Sequence, residues 1–157
     1  MKTAVIYATK HGTTEMVAKK IQRHLLPLQV DLINLARNKQ PDISSYDRIV
    51  VGSSIHAGKN QSVVQKFCAK NMPELLQKQV GLYLCCLNEN EFDQSMAYAY
   101  PEILRNHAFS VELVGGEYRT DKMNFIECFL VKKIVGVTEP QSLMNRENID
   151  RLLSKLV

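Results

Sequence analysis

Thr3-Ala4-Val5-Ile6-Tyr7-Ala8-Thr9-Lys10-His11-Gly12-Thr13-Thr14 is the stretch that decides the fold. Its first half, Thr3 to Ala8, is almost continuously apolar, as a strand covered on both faces must be. Beyond Thr14, Val17, Ile21 and Leu25 recur at a spacing of four with Glu15, Lys19, Lys20 and Arg23 between them. That period predicts an amphipathic helix from about Thr14 to Leu26. The loop Thr9 to Thr14 therefore joins a buried strand to the start of a helix. Such a junction offers backbone N–H groups that lack a partner, with the positive end of the helix dipole behind them, and a phosphate can accept from both. Gly12 permits the turn and a close backbone approach, while Thr9, Thr13 and Thr14 add hydroxyl donors. The same residues also serve a simple turn at Gly12 and a simple cap at Thr14.

The remaining chain repeats the alternation of strand and helix. Val30 to Leu35 reads as a strand, Pro41-Asp42 as a loop, and Ile49-Val50-Val51-Gly52 within Arg48 to Ser54 as a second buried strand. Helical spacing resumes at Val63, Val64, Phe67 and Cys68 and is expected to stop at Pro73. Val80 to Leu87 is a further apolar run, followed by polar residues 88–93 and a helix around Ser95 to Asn106. Phe109 to Gly116 supplies the last strand, and Asn145 an N-cap for a helix carrying Ile149, Leu152, Leu153 and Leu156. This pattern predicts an α/β fold, a doubly wound five-stranded parallel sheet in the order 2-1-3-4-5 with helices on both faces. Its ligand crevice lies beyond the carboxyl ends of strands one and three. One domain, 1–157, is expected, with an insertion at about 117–145 after the last strand.

Val5 to Thr14, with Ala18 and Ile21 at set distances beyond, resembles the flavodoxin signature. The loop lacks the Lys-Ser or Lys-Thr ending of an ATP-binding P-loop and the Gly-x-Gly-x-x-Gly of a dinucleotide fold. Within that superfamily, Tyr46-Asp47-Arg48-Ile49-Val50-Val51-Gly52-Ser53-Ser54-Ile55-His56-Ala57-Gly58, with Phe67 in the next helix, is similar to the menaquinone-dependent protoporphyrinogen dehydrogenases. The turn Gly115-Gly116-Glu117-Tyr118-Arg119 and the insertion after it resemble that family too. The resemblance implies a flavodoxin-like fold, flavin mononucleotide (FMN) as cofactor and redox activity. It places the phosphate in Thr9, Lys10, His11, Gly12, Thr13 and Thr14. A second flavin loop runs through Ser53, Ser54, Ile55, His56, Ala57 and Gly58, and Leu87 and Asn88 form ring-edge contacts. His56 either covers one ring face or stands as an exposed loop histidine. No catalytic residue stands out.

Composition narrows the remaining classes. The chain has 157 residues, 45% hydrophobic and 23% charged, with no apolar stretch near the roughly 18 residues of a membrane span. Met1-Lys2-Thr3 leads straight into the first strand without a signal-peptide pattern, so a cytoplasmic location is expected, with peripheral contact at the inner face of the membrane as a further option. Cys68, Cys85, Cys86 and Cys128 show no Cys-x-x-Cys spacing, and the four histidines no metal-ligand spacing. Reduced thiols and no metal are expected. The net charge of +4 comes from scattered Lys and Arg without interleaved aromatics, which argues against nucleic acid. It also argues against a flavodoxin-type electron carrier, which by resemblance is acidic and docks on basic partners. The expected function is an FMN-dependent dehydrogenase that takes hydrogen from a small-molecule redox substrate, protoporphyrinogen among them, and passes electrons to a quinone. An electron carrier between protein partners and a non-enzymatic flavin-binding module are the alternatives. Met123 to Val137 carries more apolar surface than one docking face consumes. It suits a membrane surface or a homo-oligomer contact, unless it packs on its own domain. Because it follows an edge strand, the segment from Glu117 to Val137 is expected to stand away from the phosphate loop and to be dispensable for holding FMN.

Overall fold

The computed structural model describes residues 1–56, 59–60, 62–87, 90, 92–118, 120–136 and 141–157; of residues 56, 59, 60, 118, 134, 135 and 141 it describes the backbone alone. The parallel strands are β1 (Thr3–Tyr7), β2 (Val30–Asn34), β3 (Arg48–His56), β5 (Gln79–Cys85) and β6 (Ser110–Leu113). They lie in the order β2-β1-β3-β5-β6, with the short β4 (Lys59–Asn60) turned back antiparallel on β3. Counting the five parallel strands alone, this is 2-1-3-4-5, the order expected from the sequence.

Alternation along β1 explains the two cores. All five of its residues are buried, and successive side chains leave on opposite faces. Val5 and Tyr7 pack with Val17, Ala18 and Ile21 of α1 (Thr13–His24) and with Ile149, Leu152 and Leu153 of α6 (Arg146–Ser154). Ala4 and Ile6 face the opposite layer, with Val64, Phe67 and Leu75 of α2 (Ser62–Leu75), Met96 of α3 (Phe92–Ala99) and Leu104 of α4 (Glu102–His107). Each fully buried aliphatic side chain contributes about 1.5–3 kcal/mol relative to exposure.

Three expectations are corrected. The helix around Ser95 to Asn106 is two helices, because Pro101 takes φ −57°, ψ 144° as the N-cap of α4 and a proline disfavours helical geometry at the residue before it. Pro73 does not end α2; it sits inside the last turn, and the helix continues far enough to bury Leu75 completely. The last strand is not continuous. After β6 the chain turns at Gly115, φ 77°, into β7 (Gly115–Tyr118), which pairs antiparallel with β8 (Gln141–Met144). A Cβ on Gly115 would stand 2.2 Å from the Leu143 carbonyl oxygen, so only glycine allows this pairing. The insertion leaves the sheet between β7 and β8 and contains α5 (Phe125–Val135).

Candidate functional site

The carboxyl ends of β1, β3 and β5 converge on an open cleft, the position where open α/β sheets bind ligands. Of the residues the sequence singles out, Thr9, Lys10, His11, Thr13, Thr14, Ser54, Ile55 and Leu87 line it. Gly12 lies on the outer side, in a neighbouring groove shared with Lys19, Lys20, Arg23 and Lys122. Ser53 is fully buried in β3, one residue below the wall formed by Ser54 and Ile55. Ala57, Gly58 and Asn88 lie outside the described residues, and so does the side chain of His56. The sequence reading did not assign Cys85, Cys86, Gly116 and Glu117 to the site, yet all four line the cleft. Strand-end position was a usable signal for the two cysteines, since ligands in such sheets sit beyond the carboxyl ends.

Loop geometry follows from two residues. Gly12 takes φ 93°, and its N–H donates to Thr9 Oγ1 at 2.9 Å, which folds the loop back onto itself. Gly12 is also the N-cap of α1 and brings no side chain to cap it. The first-turn N–H groups of Thr13, Thr14 and Glu15 therefore have no acceptor within the helix. The ring of Tyr83 crosses beneath, and its hydroxyl donates to the Thr14 carbonyl at 2.8 Å, tying this turn to β5.

Thr14 has a completely buried side chain whose Oγ1 finds no hydrogen-bond partner of oxygen or nitrogen; the Cys85 thiol faces it. A thiol is a weak partner, so the hydroxyl keeps part of the roughly 1–3 kcal/mol cost of an unsatisfied buried group. A group held ready for an incoming acceptor accounts for that cost. Thr14→Val keeps the shape and removes the hydroxyl, so the ligand-free protein is expected to gain about 1 kcal/mol in a urea titration, with ligand affinity falling. A loss of stability instead would show that the hydroxyl already serves the fold. Burial pushes the Cys85 thiol up to about 12, so at neutral pH it is a protonated, apolar part of the wall.

The insertion does not stand away from loop Thr9 to Thr14, and this corrects the expectation drawn from the edge position of β6. β7 crosses back over the end of β5: the Cys86 N–H donates to the Gly115 carbonyl at 2.9 Å, and Gly116 packs on Leu87. The crossing carries the insertion to loop Thr9 to Thr14. There α5 opens with a capping box, the Asn124 side chain accepting from the Glu127 N–H and the Glu127 carboxylate from the Asn124 N–H. The same carboxylate pairs with the Lys10 ammonium and lies 3.6 Å from His11 Nε2.

Charges at this junction predict its pH dependence. Burial holds the His11 imidazole below its ordinary value and outweighs the Glu127 carboxylate, which acts the other way. At neutral pH the contact is between a neutral ring and a carboxylate. The hydrogen bond from Lys10 holds the Glu127 carboxyl below its usual range. Both folded-state values lie below the unfolded ones, so both contributions are complete above the ordinary imidazole value and are lost as pH falls. Hydrogen exchange across residues 120–136, corrected for intrinsic rates, is expected to show less protection at about pH 5 than at about pH 7.5. Equal protection would mean that the junction does not hold the insertion.

Fold and cleft together define a flavodoxin-like α/β protein with an open loop between β1 and α1. Residues 4–144 match the flavodoxin domain family, and the chain belongs to it. Among curated proteins it is similar to the protoporphyrinogen IX dehydrogenase [quinone] of Escherichia coli strain K12, 26% identical over 94% of this chain and 86% of that one. Among solved structures, the flavodoxin of Streptococcus pneumonia TIGR4 superposes with a TM-score of 0.56 at 15% identity, covering 99% of this chain and 94% of that one. A Fusobacterium nucleatum flavodoxin solved with flavin mononucleotide gives a TM-score of 0.50 at 20% identity over 71% of this chain and 69% of the other. These two likenesses show the fold.

Proposed function

We propose that the chain binds FMN in this cleft and works as an oxidoreductase of the protoporphyrinogen dehydrogenase type, delivering electrons to a quinone. The observation that carries the FMN reading is the open first turn of α1 behind a glycine N-cap that brings no capping side chain, with the buried Thr14 hydroxyl held there by no oxygen or nitrogen partner. A phosphate monoester fits that donor set, and the flavodoxin of Fusobacterium nucleatum holds FMN on the same fold. The Thr13, Thr14 and Glu15 N–H groups and the threonine hydroxyls would hold the phosphate, with Ser54, Ile55 and Leu87 walling the ring. FMN, when bound, supplies one- and two-electron transfer. Cys85 and Cys86 form a wall that excludes water, and Glu117 puts a carboxylate at the cleft edge where protons can be exchanged with solvent.

Likeness to the Escherichia coli quinone-linked dehydrogenase over 94% of the chain supports the enzyme reading, and so does the net charge of +4. The whole chain, 1–157, acts as one flavodoxin-like domain with its insertion as the acceptor-side element. Phe125, Ile126, Phe129 and Leu130 of α5 are exposed, with Lys132 and Lys133 in its last turn. That combination suits peripheral contact with an anionic membrane holding a quinone. Among the described residues no helix is long and apolar enough to cross a membrane. The test is anaerobic mixing of the FMN-loaded protein with protoporphyrinogen or coproporphyrinogen and a quinone. Multiple turnovers are expected. Reduction that stops at one equivalent per flavin would turn the reading to an electron carrier.

A further inference from the structure

The insertion supplies more than an outer surface. Around the phosphate loop it places two side chains of opposite charge. Glu127 engages the Lys10 ammonium and leans on His11, so the charge of the loop's own lysine is already answered. Lys122, two residues before the Asn124 cap of α5, meets the loop from the other side. Its backbone hydrogen-bonds the His11 ring, and its Nζ lies 3.4 Å from where a Cβ on Gly12 would stand. Among the described residues Lys122 has no carboxylate partner. It also walls the groove that Gly12 shares with Lys19, Lys20 and Arg23; Glu15, the one acid there, pairs with Lys19 at 2.7 Å. The field at the mouth of the loop is therefore positive, and an exposed ammonium stands at the glycine that opens the first turn of α1.

We propose that Lys122 is a phosphate-binding residue: the insertion closes the FMN phosphate site from outside, with Lys122 contributing a cation that loop Thr9 to Thr14 does not contribute itself. This rests on the FMN reading above. Lys122 lines the outer groove beside Gly12 and not the cleft itself, so its ammonium acts across the Gly12 turn, at the phosphate end, and does not touch the flavin ring. Glu127 acts as a positioning residue. Through Lys10 and His11 it fixes the start of α5, and with it the approach of Lys122.

The discriminating experiment compares FMN with riboflavin, which differs by the phosphate alone. Flavin fluorescence quenching is titrated for the full-length wild type, Lys122→Gln and, as a control on the far turn of α5, Lys133→Gln, at low and high salt. Lys122→Gln is expected to weaken FMN binding by about fivefold at low salt, the scale of an exposed ion pair, and to leave riboflavin unchanged. The FMN advantage lost should shrink as salt is raised, and Lys133→Gln should match the wild type. An unchanged ratio of FMN to riboflavin affinity in Lys122→Gln overturns the assignment while the FMN reading stands. If the wild type quenches neither flavin, the FMN reading falls and the assignment with it.

Discussion

Gly52→Ala is expected to destabilise the protein by about 3 kcal/mol or more, the upper range for overpacking a core, and to loosen loop Thr9 to Thr14 at the same time. A Cβ at Gly52 would stand 2.1 Å from Cζ and 2.2 Å from the hydroxyl of Tyr83, its neighbour in register on β5. Tyr83 is completely buried, so its ring has nowhere to go without disturbing the layer of α1. Its displacement would also break the hydrogen bond to the Thr14 carbonyl. Glycine in the middle of a buried strand is here the space through which a tyrosine reaches from β5 to the first turn of α1. Urea denaturation measures the first effect. Tyr83→Phe separates the second, since it removes the hydroxyl without the clash. A Gly52→Ala protein as stable as the wild type would contradict the packing described.

The second large effect is on the ligand. Gly12→Val is expected to reduce FMN affinity by about a hundredfold or more, since a β-branched residue at positive φ is strained by roughly 1–3 kcal/mol and the loop would relax out of its donor geometry. Gly12 holds φ 93° while its N–H reaches Thr9 Oγ1, and both would be lost together. Gly12→Ala should fall between the two. Equal FMN affinity across the three proteins, by quenching titration, would mean that the phosphate does not sit at this turn.

The junction of β1 and α1 was legible because its signals are local: an apolar run of strand length, a glycine, and an apolar spacing of four. The sheet order followed from the alternation of strands and helices, which leaves few right-handed arrangements. Pro101 was equally local, and its effect on Tyr100 was the overlooked signal for the break between α3 and α4. The path of the insertion was not legible. It depends on Gly115 adopting a positive φ and on Cys86 donating to its carbonyl, a tertiary contact across 29 residues of chain that no periodicity encodes. For the same reason Gly116 and Glu117 could not be placed in the cleft, although the Gly115-Gly116 pair marked a backbone of unusual freedom. Lys10 and His11 are grouped with the loop by sequence alone, but their partner, Glu127, reads in sequence only as a helix-capping residue.

The most direct test of the account is a titration of the purified wild-type chain with FMN and with riboflavin, following flavin fluorescence. If loop Thr9 to Thr14 is a phosphate site, FMN is quenched at micromolar concentrations and riboflavin binds at least about tenfold more weakly, a phosphate being worth more than 1.4 kcal/mol at such a turn. Equal affinity for the two flavins, or no quenching by either, would contradict it.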